Sequence, residues 1–165
     1  MEVFYTSREL KQRLSEIKTQ SGRVGFVPTM GSLHSGHASL LDQAKRESDF
    51  VVLSIFVNPT QFDSEKDFVS YPVSLESDLA LARSLDVDAV FVPETTELYE
   101  GVPAADSVDY GNLTNSFEGA LRTGHFDGVV AIVRRLFSIV NPSKAFFGEK
   151  DLQQLAVIET LCKRE

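Results

Sequence analysis

Residues 24–47 read VGFVPTMGSLHSGHASLLDQAKRE, and the phases of this stretch decide the fold. Val24-Gly25-Phe26-Val27 is a short apolar run of strand length, stopped at Pro28. Residues 29–37, TMGSLHSGH, form a loop, and Ala38 to Glu47 reads as a helix. Strand, glycine-bearing loop and helix in that order make half of a parallel crossover unit.

Working outward, the same alternation continues. Upstream, Thr6 and Glu9 have capping-box spacing, and Leu10, Leu14 and Ile17 recur at helical spacing to about Gln20, where Gly22 stops the helix. Downstream, Phe50 to Val57 (FVVLSIFV) is apolar at nearly every position, as in a strand covered on both faces. Residues 58–73 read as a polar loop. Ser74 caps a helix ending near Leu85, and Ala89 to Val92 is a strand stopped by Pro93. Residues 93–124 hold Gly, Pro and acidic residues, with one short strand expected at Ser107–Tyr110. From Asp127, Val129, Val130, Ile132, Val133, Leu136, Phe137 and Val140 mark a strongly apolar helix that Asn141-Pro142 ends. Arg134 and Arg135 lie inside it, and at least one is expected to pair with acidic neighbours. Ala145-Phe146-Phe147 is a last strand, and Leu152, Leu155, Ile158 and Leu161 mark a last helix. Helix first, then strand and helix in turn, implies a doubly wound, Rossmann-like α/β fold: a parallel sheet with helices on both faces, in one domain over residues 1–165. Ligands of such sheets sit at the carboxyl ends of the strands where strand order reverses, so the loops after Val27, Val57 and Phe147 are the places to search.

Composition narrows the partners. With 42% hydrophobic and 24% charged residues the chain is ordinary globular protein, and no apolar run approaches the roughly 20 residues of a membrane span. The start, MEVFYTSREL, has no basic segment followed by an apolar core, so no signal peptide is read. The single cysteine, Cys162, excludes an intrachain disulfide and suits a reduced, cytoplasmic setting. The net charge of −8 argues against nucleic acid or an anionic membrane as partner. That charge is uneven: residues 1–50 sum to +1 (7 basic, 6 acidic), 51–120 to −11 (2 and 13) and 121–165 to +2 (7 and 5). An anionic small molecule is therefore expected in the flanks rather than the middle.

The first loop holds Gly31 and Gly36 at P-loop spacing, but His37 and Ala38 stand where Lys and Ser/Thr are needed, so that motif fails. What remains is H-x-G-H at a helix start: His34 and His37 beside a dipole end that offers N–H groups to phosphate. Surface histidines and turn glycines are the plain alternative; two of the chain's three histidines falling within four residues favours function. A zinc site lacks a third ligand of fitting spacing. In the second loop Asn58 and Gln61 carry amides suited to a small polar substrate, although Asn58-Pro59 is also ordinary turn chemistry. The third, Gly148-Glu149-Lys150-Asp151, repeats the strand–glycine–helix layout. Lys150 in a first helical turn opposes the dipole unless an anion compensates, Asp151 suits that turn as a cap, and Gln154 lies one turn on. Residues 122–126, RTGHF, with Thr123 and His125, are a fourth candidate. Met30 either packs the core or touches a base.

Taken together, PTMGSLHSGH, SIFVNPTQF, YPVSLESDLALA, EGALRTGHFDGV and FFGEKDLQQL resemble the pantothenate synthetase (pantoate–β-alanine ligase) family over nearly the whole chain. H-x-G-H alone points only to the wider nucleotidyltransferase and class I aminoacyl-tRNA synthetase superfamily. The resemblance implies MgATP-dependent activation of pantoate as an adenylate, then transfer to β-alanine. It implies that Met30, Gly31, Ser32, Leu33, His34, Ser35, Gly36 and His37 bind ATP with Gly148, Glu149, Lys150 and Asp151. His37 would be the proton donor, and His34 and Lys150 would act beside it. Gln61 would serve pantoate and β-alanine, Gln154 pantoate, and Asn58 and His125 that pocket and the phosphate region. Asp78 would stand near magnesium. It further implies a homodimer, and a smaller second domain that this chain lacks, so low turnover is expected of residues 1–165 alone. Another H-x-G-H nucleotidyltransferase and a noncatalytic fragment binding nucleotide or pantoate are the alternatives.

Overall fold

The structure, a computed structural model, describes residues 1–62, 64–105, 107–122 and 124–164; Thr123 lies outside them. Five strands form one sheet: β1 (Glu2–Phe4), β2 (Val24–Thr29), β3 (Phe50–Ile55), β4 (Ala89–Phe91) and β5 (Lys144–Ala145). All pairings are parallel, in the order β1-β4-β3-β2-β5. The chain steps from β2 through β3 to β4 on one side, then returns to lay β5 on the other side of β2. Strand order therefore reverses between β2 and β5, which places the crevice at their carboxyl ends.

Alternate residues of the central strands feed two separate cores. Val24, Phe26, Phe50, Val52, Ala89 and Phe91 face α1 (Ser7–Thr19), α8 (His125–Val140) and α9 (Leu152–Arg164). Val27, Val51, Leu53, Ile55 and Val90 face α2 (Ser35–Glu47) and α4 (Leu75–Ser84). Helices on both faces are thus observed, as the alternation implied. Phe26, Leu41, Leu53 and Phe91 are fully buried.

The differences from the sequence expectation have local causes. Strand β1 precedes the first helix; its three residues, too few to show a pattern, are ordered by pairing with β4. Pro28 lies inside β2 rather than ending it, because β5 reaches only Gly25 and Phe26 and asks for no N–H further along. Thr6 Oγ1 accepts from Glu9 N–H at 3.3 Å, as the capping spacing predicts. The 58–73 loop contains a 3-10 turn, Pro59–Gln61, and α3 (Glu65–Ser70), which Ser64 caps through Asp67 N–H at 3.2 Å. Ser107–Tyr110 is not a strand: Val108 N–H donates to Asp127 instead of to a neighbouring strand. That region holds only α5 (Thr95–Leu98), α6 (Asn112–Asn115) and α7 (Glu118–Leu121) among the described residues. Lys150 lies in a turn two residues before α9, so it is not in a first helical turn.

Candidate active site

The loop after β2 is held from below. Thr29 Oγ1 donates to Ser54 O at 2.8 Å and accepts from Gly31 N–H at 3.2 Å. Gly31 and Ser32 both take positive φ, 81° and 53°, turning successive N–H groups inward. Such a nest of amides binds anions. Here the anion is the side chain of Asp78, which is 3% exposed and accepts from Ser32 N–H at 2.9 Å and Leu33 N–H at 2.7 Å. A Cβ on residue 31 would lie 2.8 Å from the same carboxylate, so glycine is needed on two counts.

The helix beyond begins three residues earlier than the sequence suggests, because His34 itself is the N-cap. Its Nδ1 accepts from Gly36 N–H at 3.0 Å, and His37 Nδ1 accepts from His34 N–H at 3.3 Å. Imidazole is not among the usual capping groups, so no residue type marks this start in the sequence. With Nδ1 accepting in both rings, the neutral tautomers carry their protons on Nε2. The rings lie 4.2 Å apart, centroid to centroid. Burial, reinforced by His34, pushes His37 below the ordinary histidine value, with Asp78 pulling the other way. Two neutral N–H donors at a helix N-terminus suit phosphate oxygens.

Two adjoining cavities of about 310 and 400 Å³ share Met30, Gln61, Tyr71, Asp151 and Gln154 in their walls. The smaller is lined by His34, His37 and Asn58 as well, and the larger by His125 and Lys150. Gly31, Ser32, Leu33, Ser35, Gly36, Gly148 and Glu149 line neither cavity. Asn58 is 1% exposed and its amide is used internally: Nδ2 donates to Gln61 Oε1 at 3.2 Å and to Gly128 O at 3.1 Å. His125 is buried and its Nδ1–H donates to Gln61 O at 2.9 Å, the opposite tautomer to His34 and His37. Both residues therefore hold Gln61 in place. Tyr71 is not among the sequence candidates, yet it lines both cavities; burial and then Asp78 push its hydroxyl above the ordinary tyrosine value. Its sequence signals are its place before Pro72, which reads as a turn, and its position at the head of the YPVSLESDLALA stretch.

Among the described residues no three His, Cys, Asp or Glu side chains gather as a metal cage, and no helix is long and apolar enough to cross a membrane.

A family model described as pantoate-beta-alanine ligase matches residues 2–165. The chain is 49% identical to the pantothenate synthetase of Helicobacter pylori (strain Shi470) over 163 residues, 98% of this chain and 57% of that protein. It is 45% identical to that of Staphylococcus haemolyticus (strain JCSC1435) over 159 residues, 96% of this chain and 56% of that one. Among solved structures, pantothenate synthetase from Thermus thermophilus superimposes with a TM-score of 0.91 at 46% identity, covering 99% of this chain and 58% of its own. The pantoate-beta-alanine ligase from Francisella tularensis, complexed with beta-gamma ATP and beta-alanine, gives 0.94 at 39% identity, covering 99% and 62%. The chain thus spans less than two thirds of the length of these relatives.

Proposed function

The chain belongs to the pantoate-beta-alanine ligase family, and from that premise we propose that it binds ATP and pantoate and takes part in ATP-dependent formation of pantothenate. The observation that carries this reading is the crevice itself: the His34/His37 pair and the Lys150-Asp151 turn stand at the switch point, and Gln61 and Gln154 line the cavities between them.

In the first step a pantoate carboxylate oxygen attacks the α-phosphorus of ATP. A new P–O bond forms as the bond to the β-phosphate oxygen breaks, releasing pyrophosphate. In the second, the β-alanine amine attacks the acyl carbon, loses a proton, and the C–O bond to phosphate breaks to release AMP. For both steps the chain's work is alignment and charge neutralisation. His34 and His37 offer Nε2–H donors to phosphate oxygens, and His37 is the proton donor of the reading. Lys150, which lines the larger cavity, supplies a positive charge there. Gln61 and Gln154 hold the acid substrate; Met30, with Gly31 to Gly36 and Gly148 to Asp151, embraces the nucleotide.

Magnesium would neutralise phosphate charge when bound. Asp78, the sequence candidate to hold it, is 3% exposed, lines neither cavity and has each oxygen engaged by a main-chain N–H, so it serves the loop first and would reach an ion only through its remaining lone pairs. Homodimerisation and a cytoplasmic location belong to the same proposal, supported by the family and by the single, exposed Cys162; light scattering decides the first.

The test is pantoate-dependent exchange of labelled pyrophosphate into ATP, beside calorimetric titration with each ligand. Exchange that needs pantoate and is lost in His37→Ala supports the reading. Binding without exchange makes the chain a ligand-binding unit alone. Absence of both pantoate and ATP binding overturns it.

A further inference from the structure

The orientation of the Asn58 carboxamide is dictated by main-chain partners. Its Oδ1 accepts from Thr60 N–H at 3.4 Å and its Nδ2 donates to Gly128 O at 3.1 Å, so the two ends cannot be exchanged. The remaining Nδ2 proton meets Gln61 at 3.2 Å, and the atom that receives it must be the carboxamide oxygen. Gln61 therefore has one lone pair of its oxygen engaged by Asn58, which leaves both of its N–H donors for the cavity.

Two residues that line neither substrate cavity hold this arrangement. Tyr99, 3% exposed, donates its hydroxyl to Asn58 Oδ1 at 2.8 Å, and its ring is held beneath the Arg135 guanidinium, 4.4 Å from the ring centroid. Gly128 lets the backbone of α8 press on the Pro59–Gln61 turn. A Cβ there would overlap Thr60 O and stand 2.7 Å from Gln61 N, both main-chain atoms that cannot swing aside.

We propose that Tyr99 and Gly128 are positioning residues that hold the Gln61 oxygen toward Asn58 and so present its N–H donors to the cavity. The substrate group those donors meet is then an acceptor oxygen, carboxylate or hydroxyl. This rests on the ligase reading for the identity of the acid, pantoate, and on geometry alone for the positioning.

Tyr99→Phe removes one hydroxyl and keeps the ring; Gly128→Ala adds the Cβ. Both are compared with the unaltered chain by amide hydrogen exchange and by titration with pantoate and with ATP. Exchange at the Thr60 amide is expected to quicken by about fivefold in Tyr99→Phe, the equivalent of one neutral hydrogen bond, and by more in Gly128→Ala. Pantoate affinity falls by a similar factor in each, while ATP affinity stays within about twofold. Unchanged exchange at Thr60, or equal loss of pantoate and ATP affinity, overturns the proposal. If Gly128→Ala does not fold, Tyr99→Phe decides alone. If the unaltered chain binds no pantoate the ligase reading falls, and the exchange comparison still decides the positioning.

Discussion

Replacing Asp78 by Asn tests whether the nucleotide loop is built on a buried carboxylate. The substitution keeps shape and volume and exchanges one acceptor for an NH₂ group. In the wild type two adjacent main-chain donors, Ser32 N–H and Leu33 N–H, share the two oxygens at 2.9 and 2.7 Å. The amide can satisfy one; the other N–H is left buried against a second donor. A hydrogen bond to a charged group contributes about 1.5–3 kcal/mol, and an unsatisfied buried donor costs about 1–3 kcal/mol. A loss of about 2–4 kcal/mol in unfolding free energy is expected, which for a domain of this size lowers Tm by about 5–10 °C. Chemical denaturation with an unchanged slope reads it directly. Because the same turn leads into the His34 cap, ATP affinity falls with it. A stability change under about 0.5 kcal/mol, the scale of an ordinary surface substitution, would refute the reasoning. Titrating ATP with and without magnesium adds a second decision: the ratio of affinities shrinks in the variant if Asp78 also holds the ion, and an unchanged ratio leaves it the loop role only.

Two further outcomes concern the histidines. His37 has a folded pKa below the ordinary 6.5, chiefly through burial, so between the two values the unfolded chain binds the proton more readily. Its contribution to stability is complete above pH 6.5 and is lost as pH falls through that value toward the folded pKa. His37→Asn should flatten this limb of the stability profile, and an identical acid limb in the variant assigns it to other groups. His34→Asn keeps a good N-cap acceptor for Gly36 N–H and should hold stability within about 0.5 kcal/mol, while ATP affinity falls at least about tenfold, the equivalent of about 1.4 kcal/mol. Equal ATP affinity in variant and wild type would remove His34 from the phosphate site.

Much of this is legible in the chain because local rules and tertiary structure agree. FVVLSIFV is apolar at nearly every position since β3 lies between β2 and β4 and is covered by both cores. The loop-and-helix layout after β2 and β5 is written in glycines and in the strands before them. What is hidden depends on contacts distant in sequence. Strand β1 exists because β4, far along the chain, offers an edge. The start of α2 depends on an imidazole acting as a cap. Asn58-Pro59 looks like turn chemistry and is a turn, yet its carboxamide is fixed by Gly128 and Tyr99, whose part no local pattern reveals. Arg135, one of two arginines placed inside the apolar helix, lies over the Tyr99 ring.

Both edge strands of the sheet are brief, three residues in β1 and two in β5. An exposed strand edge is a template for adding another chain, and a brief one offers it little purchase. Strand addition by a second copy, and the fibrous aggregates it seeds, are therefore disfavoured at both edges.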